Sequence, residues 1–298
     1  MKGHFVCLEK KRDGDIFPTV DVIYETARGE EYIRKIRYYL PQMLPLINGE
    51  AEAEEYPRKT LYSFNCPCGM CDFRLLCLHD DLTGLTYWEK KTYRIPFLSP
   101  TELIKWETCP RQWAYDRSGL RSSLKAAKQE FGSVIHDAIE AHVKSRIAPS
   151  EVFVGKWDPY KDVNLQYSSR ENHGYLRLVG ISLMEKFPGF WEAFRKEKGI
   201  QSCETESKKS RMFDDFALNG RPDAVCRTKD DVIVLDWKVI SQKYDESWVK
   251  VADQMTGYFL LEEAASHAKE VTYGDNDKQS ENKGSDKAVS GVPSPVCV

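Results

Sequence analysis

Three charged residues interrupt the stretch "LNGRPDAVCRTKDDVIVLDWKV" (Leu218 to Val239), where a strand core should be apolar. Asp223 closes "GRPD", while Asp236 and Lys238 lie inside "VIVLDWKV". Residues two apart on a strand project to the same face, so Asp236 and Lys238 face one way together. If the two apolar runs pair as a hairpin, Asp223 joins them. Carboxylates brought together repel each other, and a divalent cation offsets that repulsion. Mg2+ takes one or two carboxylates and completes its shell with water and phosphate oxygens. A lysine beside it can orient the attacking water and stabilise a pentavalent phosphorus. The trio suits metal-assisted phosphodiester hydrolysis. Read alone, it fits a salt bridge at a strand end equally well.

The cysteines form a second group. Four of the nine, Cys66, Cys68, Cys71 and Cys77, follow the spacing C-x-C-x2-C-x5-C. In a chain beginning "MKGHFVCLEKKRDGD", which has no apolar leader segment, that spacing favours a metal centre over a disulfide framework. Four thiolates suit either structural Zn2+ or an iron–sulfur cluster. Cys7, Cys203, Cys226 and Cys297 read as ordinary thiols.

The elements that must hold these residues are legible in outline. Residues 3–9 and 17–25 read as strands joined through Asp13 and Gly14, and residues 28–48 as a helix. Ser99 caps a helix starting at Pro100, with Glu102 completing a capping box, and Pro110 ends or kinks it. The run "QEFGSVIHDAIEAHVKSRI" has apolar residues at helical spacing. Residues 150–172 read as irregular, and 173–198 as helical with an interruption near Pro188. From 201 to 239 the pattern is a strand meander with turns at Asn219 and Gly220 and at Lys229 to Asp231. A helix over about 246–267 follows, then a polar tail with the composition of disorder.

Composition sets the bounds. The chain has 298 residues, 41% hydrophobic and 30% charged, with a formal net charge of -3. These values allow a packed core and argue against a nonspecific basic binder, while 43 Lys and Arg leave room for a local basic groove. No apolar run reaches transmembrane length. The expectation is a soluble cytoplasmic protein without membrane partners.

Taken in order, the motifs resemble the RecB-like branch of the PD-(D/E)xK nucleases. They are the opening "SPTELIKWETCPRQW", Gly132 to His136, Asp223 in "GRPD", Asp236 and Lys238 in "DWK", and Gln254 to Tyr258 in "QMTGY". The resemblance covers about residues 98–265. It implies an α/β fold: a restriction-endonuclease-like mixed central sheet flanked by helices, with a cysteine-rich helical lobe. It implies His136, Asp223 and Asp236 as ligands of Mg2+ or Mn2+, and Lys238 as the catalytic lysine. Gln254 and Tyr258, on one helix face, would contact DNA or orient the site. The implied activity is that of a DNA exonuclease in recombination, repair or phage DNA processing. Its DNA would be single-stranded or carry free ends, and its partners would be recombination, helicase or CRISPR-adaptation proteins.

Many relatives of this branch, including CRISPR-adaptation and AddB-type nucleases, carry a 4Fe-4S cluster held by one cysteine from the first helix and a C-x2-C-x5-C triple. Here Cys109 matches the single cysteine, and Cys68, Cys71 and Cys77 match the triple. The triple precedes the core instead of following it, so the order looks circularly permuted, unless residues 1–80 are the tail of a separate or truncated copy that completes a partner chain. Residues 1–80 would then be the displaced C-terminal part, 81–97 a linker, 98–268 the nuclease core and 269–298 the tail. The rival centre is structural Zn2+ on Cys66, Cys68, Cys71 and Cys77. The rival functions are a noncatalytic DNA-binding scaffold and a zinc-stabilised interaction protein. For DNA contact, Arg111, Arg117, Arg121, Lys125, Lys128, Lys208, Lys209, Arg211 and Arg221 supply cations, and Trp106, Trp113 and Tyr115 could stack on bases. Taken singly, each reads more strongly as a solvated surface charge or a packed core aromatic.

Overall fold

A computed structural model describes residues 2–9, 17, 19–58, 68, 71–87, 96–240 and 253–267. Its strands are β1 Lys2–Glu9, β2 Thr19–Ile23, β3 Leu85–Tyr87, β4 Phe97–Leu98, β5 Leu120–Ser122, β6 Lys125–Ala126, β7 Leu165–Gln166, β8 Ser202–Thr205, β9 Lys209–Met212, β10 Ala217–Gly220, β11 Ala224–Arg227 and β12 Val232–Ile240. Its helices are α1 Thr26–Asn48, α2 Arg74–His79, α3 Pro100–Thr108, α4 Pro110–Arg117, α5 Ala127–Ser145, α6 Pro149–Trp157, α7 His173–Lys198 and α8 Asp253–His267. The Asp13 to Gly14 turn, Cys66, residues 246–252 and the tail from 268 lie outside the described residues.

The central sheet runs β2-β1-β12-β11-β8 and is mixed: β1 lies parallel to β12, and the other neighbours are antiparallel. The N-terminal strands therefore complete the same sheet that carries the charged stretch. Both faces of β12 are covered. Ile233, Leu235 and Trp237 join a core built on α5, α6 and α7, where Trp237 meets Phe187 and Trp191 edge-on at 5.7 and 6.0 Å. Val234, on the opposite face, joins a second core with α1, α3, α4 and α8. Period-two alternation thus sends Trp237 into one core and Asp236 and Lys238 toward the other.

Local signals explain several elements. Ser99 and Glu102 form the expected capping box: the Glu102 N–H donates to Ser99 Oγ at 3.3 Å, and the Ser99 N–H donates to Glu102 Oε2 at 3.0 Å. Cys109 is extended, the conformation that a following proline favours, and separates α3 from α4. Its side chain is buried.

Four expectations need correction. The 201–239 meander is divided: β8, β11 and β12 stay in the central sheet, while β9 and β10 pair with β4 in another. Asn219 and Gly220 are no turn but strand residues opposite Ser210 and Lys209. Gly220 serves close approach instead, since a Cβ there would lie 2.6 Å from Leu261 of α8. Residues 150–157, part of the 150–172 stretch expected to be irregular, lie in α6, because Phe153 and Trp157, one turn apart, both pack on Phe131. Finally, α7 continues through Pro188, held on both sides by buried Phe187 and Trp191. No described helix is long and apolar enough to cross a membrane.

Candidate active site

The site lies where β11, β12, α5 and α8 meet. Ala224 pairs with Leu235 across β11 and β12, so one further step of that register puts Asp223 opposite Asp236. Asp223 is fixed at both oxygens. Its Oδ2 accepts from the Trp237 N–H at 2.6 Å, and its Oδ1 lies 3.1 Å from His136 Nδ1. On α5, the buried face of Phe131, Val134, Ile135, Ala138 and Ile139 anchors the helix. His136, partly exposed, is left at the edge of that face.

Asp236 is almost fully buried, and its carboxylate is shared between two partners. Lys238 Nζ lies 2.7 Å from Oδ2, and Gln254 Nε2 donates to Oδ1 at 3.2 Å. The same Gln254 amide donates to Tyr258 Oη at 3.0 Å. Gln254 and Tyr258 are one turn apart on α8 and act on the site together. All six residues expected at the centre, His136, Asp223, Asp236, Lys238, Gln254 and Tyr258, are therefore brought to one place.

Electrostatics follow from burial. Desolvation raises the Asp236 carboxyl to about 6, with Asp223 pushing the same way and Lys238 opposing. For His136, burial works against the charged form, but the hydrogen bond and charge of Asp223 outweigh it and raise the imidazole above its ordinary value. Burial also raises the Tyr258 phenol well above its usual range, so it stays a neutral hydroxyl.

Glu206 was not singled out by any motif. It follows β8 directly, and its backbone is left-handed, with φ 54°. Its N–H donates to the Asp223 carbonyl at 3.1 Å. His136, Glu206 and Asp223 can each offer one ligand atom within 4.8 Å of the others. One imidazole nitrogen and two carboxylate oxygens are a fit donor set for Mg2+ or Mn2+. Burial and Asp223 raise the Glu206 carboxyl, while Arg221, 2.6 Å away, draws it down. An acid next to a strand end is too common a pattern to have marked it from sequence.

The cysteines divide into two sets. Cys68, Cys71, Cys77 and Cys109 line one small cavity with Phe73 and Tyr115. Burial raises the Cys71 thiol above its ordinary value. Tetrahedral zinc would hold its sulfurs roughly 3.8 Å apart. Among the described residues, no three of these thiols fall within 4.8 Å of one another. Cys203 and Cys226, expected to be ordinary thiols, are joined as a disulfide, because the β8–β11 register sets them directly opposite. The stacking candidates Trp106, Trp113 and Tyr115 are buried core residues. Arg117 pairs with Glu102, and Arg121 with Asp116.

The family model described as the PD-(D/E)XK nuclease superfamily matches residues 97–289, a span holding every residue of this centre. No curated protein and no solved structure shows a significant match to the chain. The fold around β11 and β12, the paired acids with their lysine and the extent of the matched span agree: the chain belongs to the PD-(D/E)XK nuclease superfamily.

Proposed function

We propose that the chain is a RecB-like DNA exonuclease dependent on Mg2+ or Mn2+, acting on DNA ends in recombination, repair or phage DNA processing. Superfamily membership itself implies metal-dependent nuclease activity with DNA as substrate. The observation that carries the reading is the meeting of Asp223, which accepts from the Trp237 N–H of β12, with Asp236, which is ion-paired to Lys238 and accepts from Gln254 of α8. His136, Asp223 and Asp236, with Glu206, would hold the cation. When bound, the cation supplies charge to the phosphate oxygens and makes its water a stronger acid. Lys238 orients the attacking water and offsets charge developing on phosphorus. Gln254 and Tyr258 keep Asp236 aimed into the site.

The four-thiol cavity supports a 4Fe-4S cluster on Cys68, Cys71, Cys77 and Cys109, with structural Zn2+ the competing occupant. The parallel β1–β12 pairing is what a circular permutation would produce, with residues 1–80 completing the domain of their own chain.

The deciding experiment is cleavage of end-labelled single- and double-stranded DNA with Mn2+, using protein purified without oxygen, against Lys238→Ala. Cleavage abolished in the variant supports the nuclease centre, and a product ladder receding from one end supports exonuclease action. Internal cuts in circular DNA would overturn the exonuclease part, and an inert, folded wild-type protein would overturn the whole. Metal analysis of the same sample is expected to return iron and sulfide in equal amounts. Stoichiometric zinc without iron would replace the cluster.

A further inference from the structure

Lys35 lies on α1, well outside the span matched by the family model. It is partly buried and stands between two acids from different helices. Its ammonium meets Asp253 at the first position of α8, and Glu107 Oε1 near the end of α3 at 2.6 Å. Tyr39, one turn along α1, donates to the same Glu107 carboxylate at 3.1 Å. Burial alone would lower the Lys35 ammonium, but Asp253 and Glu107 more than offset that and hold it charged. Asp253 is the neighbour in sequence of Gln254, whose amide reaches Asp236.

We propose that Lys35 is a positioning residue of the nuclease centre: by pinning Asp253 it sets the first turn of α8 so that Gln254 engages Asp236 and Tyr258. This rests on the nuclease reading above. The packing around the pin leaves little play. A Cβ at Gly257 would lie 2.5 Å from Pro100 of α3 and 3.2 Å from the hydroxyl of buried Tyr32 on α1. Gly257 thus holds α8 close to α3, and the ion pair of Asp253 with Lys35 ties the first turn of α8 to α1. Without Lys35, Asp253 and Glu107 face each other as like charges. The first turn then moves away from α3 and takes Gln254 from Asp236. Displacement of about 1 Å at a catalytic group can cost up to about a hundredfold in rate.

The test uses the full chain as wild type, Lys35→Met, Lys35→Arg, Gln254→Ala and the Lys35→Met/Gln254→Ala pair. The Gln254 side-chain amide resonances, assigned by their loss in Gln254→Ala, should shift in Lys35→Met and return in Lys35→Arg. With Mn2+ and end-labelled DNA, Lys35→Met should lower kcat roughly tenfold at unchanged KM, and should lower it no further when Gln254 is already alanine. An unmoved amide in Lys35→Met overturns the proposal, as do losses that multiply in the pair. If Lys35→Met does not fold, Asp253→Asn removes the same ion pair at constant shape and is read in the same two ways. A wild type that cuts no DNA sinks the nuclease reading, while the amide shift still decides whether Lys35 positions Gln254.

Discussion

Lys238 and Asp236 divide one carboxylate's neighbourhood into a charge to be neutralised and a charge to be used. Lys238→Ala should lower kcat by about 10²–10³ with little change in KM, because it removes a group needed as charge develops rather than one that binds DNA. A proportionate rise in KM would assign Lys238 to substrate binding. Glu206→Gln should raise the Mn2+ concentration needed for half-maximal cleavage, and an unchanged requirement would remove Glu206 from the ligand set. Asp236 gives a pH dependence of stability. Its carboxyl sits at about 6, against an ordinary value of 3.8, so between those values the folded chain binds more protons than the unfolded one. Stability of the metal-free protein is then fully present below that window, falls as pH rises through it, and stays reduced above it. Asp236→Asn should raise Tm at pH 7.5 and lose that advantage by pH 4, as thermal melts in chelator would record. A lower Tm at pH 7.5 would mean that the Lys238 ion pair outweighs burial. At this scale the sequence was most informative where side-chain parity decides. The two-residue spacing of Asp236 and Lys238 needed only a strand, and the strand formed. Glu206 was hidden because its place depends on one left-handed residue after β8 and on a carbonyl brought from Asp223, neither of which leaves a mark on residue type.

Elements with their own terminal chemistry were legible: Ser99, Glu102, Cys109 and Pro110 wrote both ends of α3 and the start of α4. Elements that exist because of what they pack on were not. The α6 helix shows only Phe153 and Trp157 as its buried aromatics, and α7 passes a proline that local rules would make a boundary. Gly220 misled because a glycine required by an approaching helix looks the same in sequence as one required by a turn. Gly257 belongs to the same class, and it makes a prediction. Gly257→Ala must push Pro100 aside, as overpacking that should cost about 1–3 kcal/mol. A lower Tm with reduced cleavage is the expected outcome of melting and rate measurements on the variant. An unaltered Tm would show that α8 can slide on α3 freely.

For the whole molecule, the expected α/β fold with a mixed central sheet and helices around it is what forms, with smaller sheets beside it, and the family span agrees. The sequence could not say that β1 lies against β12, because strand pairing across most of a chain has no local signature. That pairing predicts the behaviour of a shortened chain. A form lacking residues 1–25 would expose β12 as a long edge without its neighbour. It should lose its cooperative thermal transition and aggregate. Scanning calorimetry beside light scattering would check this, and a sharp transition at the full-length temperature would contradict it.

The same pairing has a consequence in time. Lys2 is matched with Ile233 and Glu9 with Ile240, so β1 leaves the ribosome long before the strand it pairs with. During synthesis β1 and β2 can do no better than a lone hairpin, which is marginal in water. The central sheet closes only after β12 has emerged. Contacts so distant along the chain make folding slow and leave apolar strands open to wrong partners meanwhile. Yield from cells should therefore depend on translation speed and chaperone supply more steeply than the final stability of the protein would indicate.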